Sequence, residues 1–263
     1  MTNTRGAAWL VALTLACACA AVGEGELDVT AYGEGYIEEG IAADVFVDGW
    51  SVTFDHFVVV VSDVGVGEEG GDPRAFLVDL TKKTGGEGQP LTGLVVPIGD
   101  YSQLFYRVAP AADVEALDVD QAVVDAVAAA GASVYVEGTA TRDAEVITFR
   151  WAFTANTGYG PCEIEASVTR DASASAELTF HADHLFYDDL DSAAPNVAFE
   201  LIAAADVDLD GEVSEAELRA VDITGEQRYQ VGSRDIADLW SFIEHQSGTI
   251  GHINGEGHCE AAG

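Results

Sequence analysis

Basic residues are scarce in this 263-residue chain. Eleven Lys and Arg stand against 46 Asp and Glu, a formal charge of −35, and Lys82 and Lys83 are the only lysines. Nothing here could replace the counterions of a phosphate backbone, which excludes a nucleic-acid partner. The same deficit denies the chain a basic patch for an anionic membrane. Cations and saline water remain as partners. Methionine occurs once and cysteine four times. Long apolar runs are nearly absent: only residues 7–20 (AAWLVALTLACACA) are apolar over fourteen positions, Thr14 apart, which is too short to cross a bilayer. No G-x-S-x-G, H-E-x-x-H, P-loop or Cys–His arrangement occurs, and acids are too abundant for any two to stand out as a general acid and base. The expectation is therefore not an enzyme. What is present is core-forming material, 48% hydrophobic with 11 Phe, 8 Tyr and 4 Trp, which excludes wholesale disorder.

The apolar run follows Arg5 and precedes small residues and the acidic GEGELD, the layout of an export signal over residues 1–20. Two processing routes fit: cleavage after Ala18-Cys19-Ala20, or lipidation of Cys17 or Cys19 in a stretch that looks like a bacterial lipobox, although neither cysteine has the usual Leu three residues upstream. The expected location is the periplasm, outer membrane or cell surface as a lipoprotein, or the medium as a secreted protein. In such an oxidising place the two remaining cysteines, Cys162 and Cys259, read as a disulfide closing a loop of about a hundred residues; the alternative is that Cys162 is a buried thiol.

Residues 21–185 read as strands. Residues 50–63 (WSVTFDHFVVVVSD) are β-branched and aromatic, and shorter runs follow at 75–80, 94–98, 103–109, 134–141, 146–155, 163–169 and 176–182, punctuated by Gly, Asp and Pro clusters such as GEEGGDP. This rhythm predicts an antiparallel β-sandwich, interrupted by one helix over 120–130 that Gly131 stops. His56 alternates with Val52, Phe54, Val58 and Val60 and reads as a hydrogen-bonded core histidine. Residues 186–263 change texture, with helices predicted over 196–205, 214–221 and 233–246, the last capped by Ser233. The predicted fold is mainly β, a sandwich followed by a small α-helical module.

That module carries the sharpest motif, Asp206-Val-Asp208-Leu-Asp210-Gly211-Glu212-Val213-Ser214-Glu215-Ala216-Glu217. A hard divalent ion needs six to eight oxygens, so a loop must curl alternate carboxylates around one point. Asp206, Asp208 and Asp210 fall at positions 1, 3 and 5; Gly211 at 6 permits the bend; Glu212 at 7 offers its carbonyl; Ser214 at 9 offers its hydroxyl; Glu217 at 12 closes the sphere. Residues 196–222 thus resemble the EF-hand family, which implies Ca²⁺ binding. Val213 at position 8 is the residue that pairs with a second loop in that family. Here residues 224–235 make a poor second loop, with Tyr229 where Gly belongs and Arg228 at position 5. An unpaired site of this kind suits a structural clamp with a dissociation constant on the order of 10⁻⁴–10⁻³ M.

Four histidines form two pairs, His181-Ala-Asp-His184 and His252 with His258 just before Cys259. A Cys162–Cys259 bond could bring the pairs together, and four imidazoles with Asp183 or Glu256 would suit zinc or copper. Along a continuing strand, however, residues 181 and 184 face opposite ways; they converge only if the chain turns helical around Asp183. The succession FDHFVVVVSDVGV (54–66), AFLVDL (75–80) and VPIGDYSQLFYRV (96–108), then a helix and a strand bearing Trp151, resembles secreted MbnP-like copper-binding proteins over residues 40–185. The resemblance implies copper held by a histidine and an oxidised tryptophan; Trp50, Trp151 and the histidines are available, but neither role maps to one definite position, so the copper residues are not carried over. The leading expectation is an exported calcium-binding protein with a structural or binding role and an unidentified protein partner; the alternative is a periplasmic copper or zinc carrier.

Overall fold

The computed structural model describes residues 23–67 and 70–262; the export signal, with Cys17 and Cys19, lies outside them. The chain runs β1 (Glu24–Tyr32), α1 (Glu34–Glu38), β2 (Ser51–Val66), β3 (Gly70–Asp79), β4 (Gln89–Pro97), β5 (Gly99–Val108), β6 (Glu115–Leu117), α2 (Gln121–Ala130), β7 (Val134–Arg142), β8 (Glu145–Phe153), β9 (Thr157–Val168) and β10 (Ala174–Phe180). After a single 3-10 turn over Asp183–Phe186 come α3 (Glu200–Ala203), β11 (Glu212–Val213), α4 (Glu215–Ala220), α5 (Leu239–Ser247), β12 (Gly251–Ile253) and β13 (Cys259–Ala262). The molecule is mainly β, as its sequence predicts. One sheet has the order β12-β10-β1-β4; the larger follows β11-β8-β7-β2-β5-β9-β13, with β3 pairing β2 and β6. Most ladders are antiparallel, but β1–β10, β3–β6 and β11–β8 are parallel.

The valine run of β2 is buried on both faces. Phe57, Val59 and Val61 enter the main core, while Val58 and Val60 pack with Leu77, Tyr135 and the Val123 and Val127 side chains of α2. A fully apolar strand needs such a cover on its outer face. α2 forms where expected and ends on Gly131, whose φ of +61° lets its N–H return to the carbonyls of Val127 and Ala128. A register shift between Phe54 and His56 breaks the expected alternation. Beyond this bulge His56 turns away from the core to the Val58 and Val60 face, half-exposed, with its Nδ1 2.6 Å from Asp79 Oδ2.

The segment after residue 186 corrects the sequence expectation of a helical module: its three helices are short and much of the rest is irregular. The physical cause is competition for backbone groups. Around 196–198, Asn196 O accepts from Asp188 N, Val197 O from Val47 N, and Ala198 N donates to Phe186 O. Helix therefore starts only where Asp48 Oδ2 accepts the N–H groups of Phe199 and Glu200, each at 2.8 Å. Likewise Ile223 N donates to Ala237 O and Leu239 N to Val221 O, so α5 starts after Asp238 rather than Ser233. The Asp238 carboxylate takes over the capping, accepting Ser241 N at 2.9 Å. These elements share one core with the strands: Phe199, Ile202, Trp240 and Phe242 join Leu27, Phe57 and Trp151 in a single cluster.

Candidate metal centres

The histidine centre is built where β10 ends. Opposite β10 runs β12, with Thr179 facing His252 across the ladder, so His181, two residues on, lies diagonal to His252 on the same face of the sheet. The chain then leaves the strand and turns through Asp183–Phe186. This turn is the condition under which residues 181 and 184 converge. Ring centroids are 4.4 Å apart for His181 and His252, 5.6 Å for His181 and His184, and 5.3 Å for His184 and His252.

Donor atoms fall into two overlapping trios, His181 with Asp183 and His184, and His181 with His252 and Glu256, the atoms of each lying within 4.8 Å of one another. Tetrahedral donors around zinc stand ~3.4 Å apart, so donors as much as 4.8 Å apart would need side-chain rotation to close on an ion. Three buried atoms here lack any hydrogen-bond partner among the described residues: Nε2 of His181, Nδ1 of His252 and Oδ1 of Asp183. Such orphans are costly and uncommon in folded proteins.

The outer contacts orient the inner atoms. Thr249 Oγ1 lies 3.0 Å from His184 Nδ1 and 2.9 Å from Gln246 O, to which it can donate. In the tautomer that donates Nδ1–H to Thr249, His184 leaves Nε2 with a free lone pair. Tyr187 Oη donates to Asp183 Oδ2 at 2.7 Å, which leaves Oδ1 for another partner. Burial, helped by the His252 and His181 imidazoles, pulls His184 down to about 3; burial and His181 pull His252 down to about 4. Both rings are neutral and able to ligate at neutral pH. Burial pushes Asp183 and Glu34 upward, opposed in Asp183 mainly by the Tyr187 hydrogen bond and in Glu34 by His181.

Of the four histidines read from the sequence, three assemble. His258 does not join either trio: it is exposed, beside Cys259, on a groove shared with Glu163 and Glu260. The disulfide is present, Cys162 facing Cys259 across the β9–β13 ladder. Two residues of this neighbourhood escape sequence reasoning. Thr249 carries no motif, and Glu34, whose Oε2 is 3.7 Å from His181 Nδ1, is one of 46 acids. A glycine on either side of Glu34 is the one local irregularity.

The acidic loop forms a separate group. Carboxylate oxygens of Asp206, Asp208 and Asp210 gather within 4.8 Å of one another. Asp206 is nearly buried and accepts Asp210 N and Gly211 N; Asp208 also accepts Asp210 N, and Asp210 accepts Glu212 N. Gly211 has φ +83°, the bend for which glycine is suited. Ser214 and Glu217 form a reciprocal capping box at the start of α4, and Glu217 Oε1 reaches back to Val207 N at 3.2 Å. Backbone and side-chain bonds from Ser214 hold the Glu217 carboxyl below its usual range. Val213 at position 8 pairs with Phe149 of β8 instead of a second loop, and its carbonyl accepts the indole N–H of Trp151 at 3.0 Å.

No family model and no curated protein matches this chain. Among solved structures it is similar to MbnP from Methylosinus trichosporium, with 12% sequence identity and a TM-score of 0.35, over 62% of this chain and 77% of that one.

Proposed function

We propose that this chain is an exported binding or carrier protein for a divalent transition-metal ion, held by His181, His184 and His252 with Asp183 or Glu256 completing the shell. The observation that carries the reading is the set of buried, partnerless donors, Nε2 of His181, Nδ1 of His252 and Oδ1 of Asp183, contributed by two backbone segments that meet at His181. An ion in either trio would pair His181 with Asp183 or with His252. Imidazole and carboxylate suit Zn²⁺ and Cu²⁺; soft Cu⁺ prefers thiolate and thioether, and both described cysteines are in the disulfide. Export is supported by the leader pattern and the disulfide. The experiment is calorimetric titration of the purified chain with Zn²⁺ and with Cu²⁺. One equivalent is expected to bind, with His184→Ala and His252→Ala each weakening it at least tenfold and Asp210→Ala leaving it intact. Absence of stoichiometric binding by the unaltered chain overturns the reading.

A second ion is favoured by the acidic loop, whose three aspartates are already curled together and whose Gly211 and Glu217 occupy the bend and the closing position. The reading is a Ca²⁺ clamp that stiffens the region between α3 and α4. Calcium is expected to raise the melting temperature of the parent and not of Asp210→Ala; equal response of both would remove this site.

A further inference from the structure

We propose that Glu34 is the positioning carboxylate of the histidine centre: it accepts the Nδ1 proton of His181 and so keeps Nε2 of that ring as the donor to the ion. The inference rests on the transition-metal reading above. His184 already has such an outer partner in Thr249. Among the described residues His181 has one candidate, Glu34, whose Oε2 stands 3.7 Å from Nδ1, a few tenths of an ångström beyond a hydrogen bond, while Nε2 on the far side of the ring is a buried orphan. A metal-bound histidine typically donates its second N–H to a carboxylate or carbonyl, which fixes the tautomer and raises the basicity of the ligating nitrogen.

The backbone of Glu34 argues independently for a role of its side chain. Its φ is +52°, in the left-handed region that a glutamate rarely adopts. Glycine would occupy it without strain, and the chain has glycine at 33 and 35. Retained strain of this kind clusters where a side chain is needed in one place. Glu34 is half-buried, with 27% of its side chain exposed, and no Lys or Arg pairs with it among the described residues. A carboxylate placed beside Asp183 and Glu256 without a cationic side chain is a repulsive arrangement, and a bound cation relieves it.

The test uses the full chain and its Glu34→Gln, Glu34→Gly and His184→Ala variants, titrated calorimetrically with Zn²⁺ and followed by the visible spectrum of the Co²⁺ form. Glu34→Gln keeps the shape and removes the acceptor charge; it should weaken Zn²⁺ binding about 10- to 100-fold, with the Co²⁺ spectrum and the apo melting temperature unchanged. Glu34→Gly should weaken binding comparably while raising the apo melting temperature, opposite to a residue kept for stability. If both variants bind Zn²⁺ within twofold of the parent while His184→Ala does not bind, the role of Glu34 is refuted and the centre stands. If Glu34→Gln changes the Co²⁺ coordination spectrum, Glu34 is itself a ligand and the positioning role falls. A parent chain that binds neither ion refutes both.

Discussion

His184 and His252 are largely removed from water and lie beside His181 and each other, and this sets their response to acid. Each releases its proton more readily in the folded chain than the ordinary imidazole value of 6.5, at about 3 and about 4. Between pH 6.5 and these values the unfolded chain binds more protons than the folded one, so folding stability is fully present above 6.5 and falls as pH drops through that window. Metal-free protein should therefore melt progressively lower from pH 7 to pH 4. His184→Gln, which cannot titrate, should flatten that slope; thermal melts across the range decide it, and a slope unchanged by the substitution would assign the acid sensitivity elsewhere. Such residue-level effects were only half legible in the sequence. The histidines announced themselves by type, but which three meet depends on where β10 stops and on the β10–β12 register. Glu34 gave no signal beyond its glycine neighbours, and the bulge that turns His56 outward is invisible to a period-two pattern.

At the scale of elements, β11 matters beyond its two residues. It lays the exit of the acidic loop along β8, with Gly211 O accepting both the N–H and the hydroxyl of Thr148, and Val213 O accepting the Trp151 indole. Strand β8 thus supplies the β-pairing for which a second calcium loop is used in paired hands. Trp151→Phe removes a fully buried donor and part of a packed ring, and should destabilise the protein by about 2–4 kcal/mol in denaturant titrations. It should also shrink the calcium-induced rise in melting temperature, because the carbonyl that anchors the loop exit is set free. A full calcium response in that variant would mean that the loop holds its shape without β8. The loop itself was readable because all its donors lie within a dozen consecutive residues. Its flanking helices were overestimated because long-range backbone pairings at 196–198 and 237–239, which no local pattern reveals, compete for the same N–H and C=O groups.

For the whole molecule, the disulfide joins β13 to β9 across a sequence separation of 97 residues. Constraining so long a loop in the unfolded chain contributes about 2–4 kcal/mol. Reduction, or paired Cys162→Ala and Cys259→Ala substitution, should lower the denaturant midpoint accordingly. Zn²⁺ binding should survive, since His252 is held by β12 and by the Tyr106 hydroxyl on its carbonyl. The two-sheet architecture and this staple were foreseeable from strand rhythm and cysteine count. Their mixed pairing was not, because the parallel β1–β10 ladder joins residues about 150 apart in the chain.

That ladder has a geometric consequence. β1 spans nine residues, roughly 25–30 Å of extended chain. Whatever precedes Gly23 enters the fold at one end of this strand, and Glu34 with the imidazoles lies just past the other. A molecule tethered ahead of β1 would hold the three imidazoles a strand's length from its point of attachment.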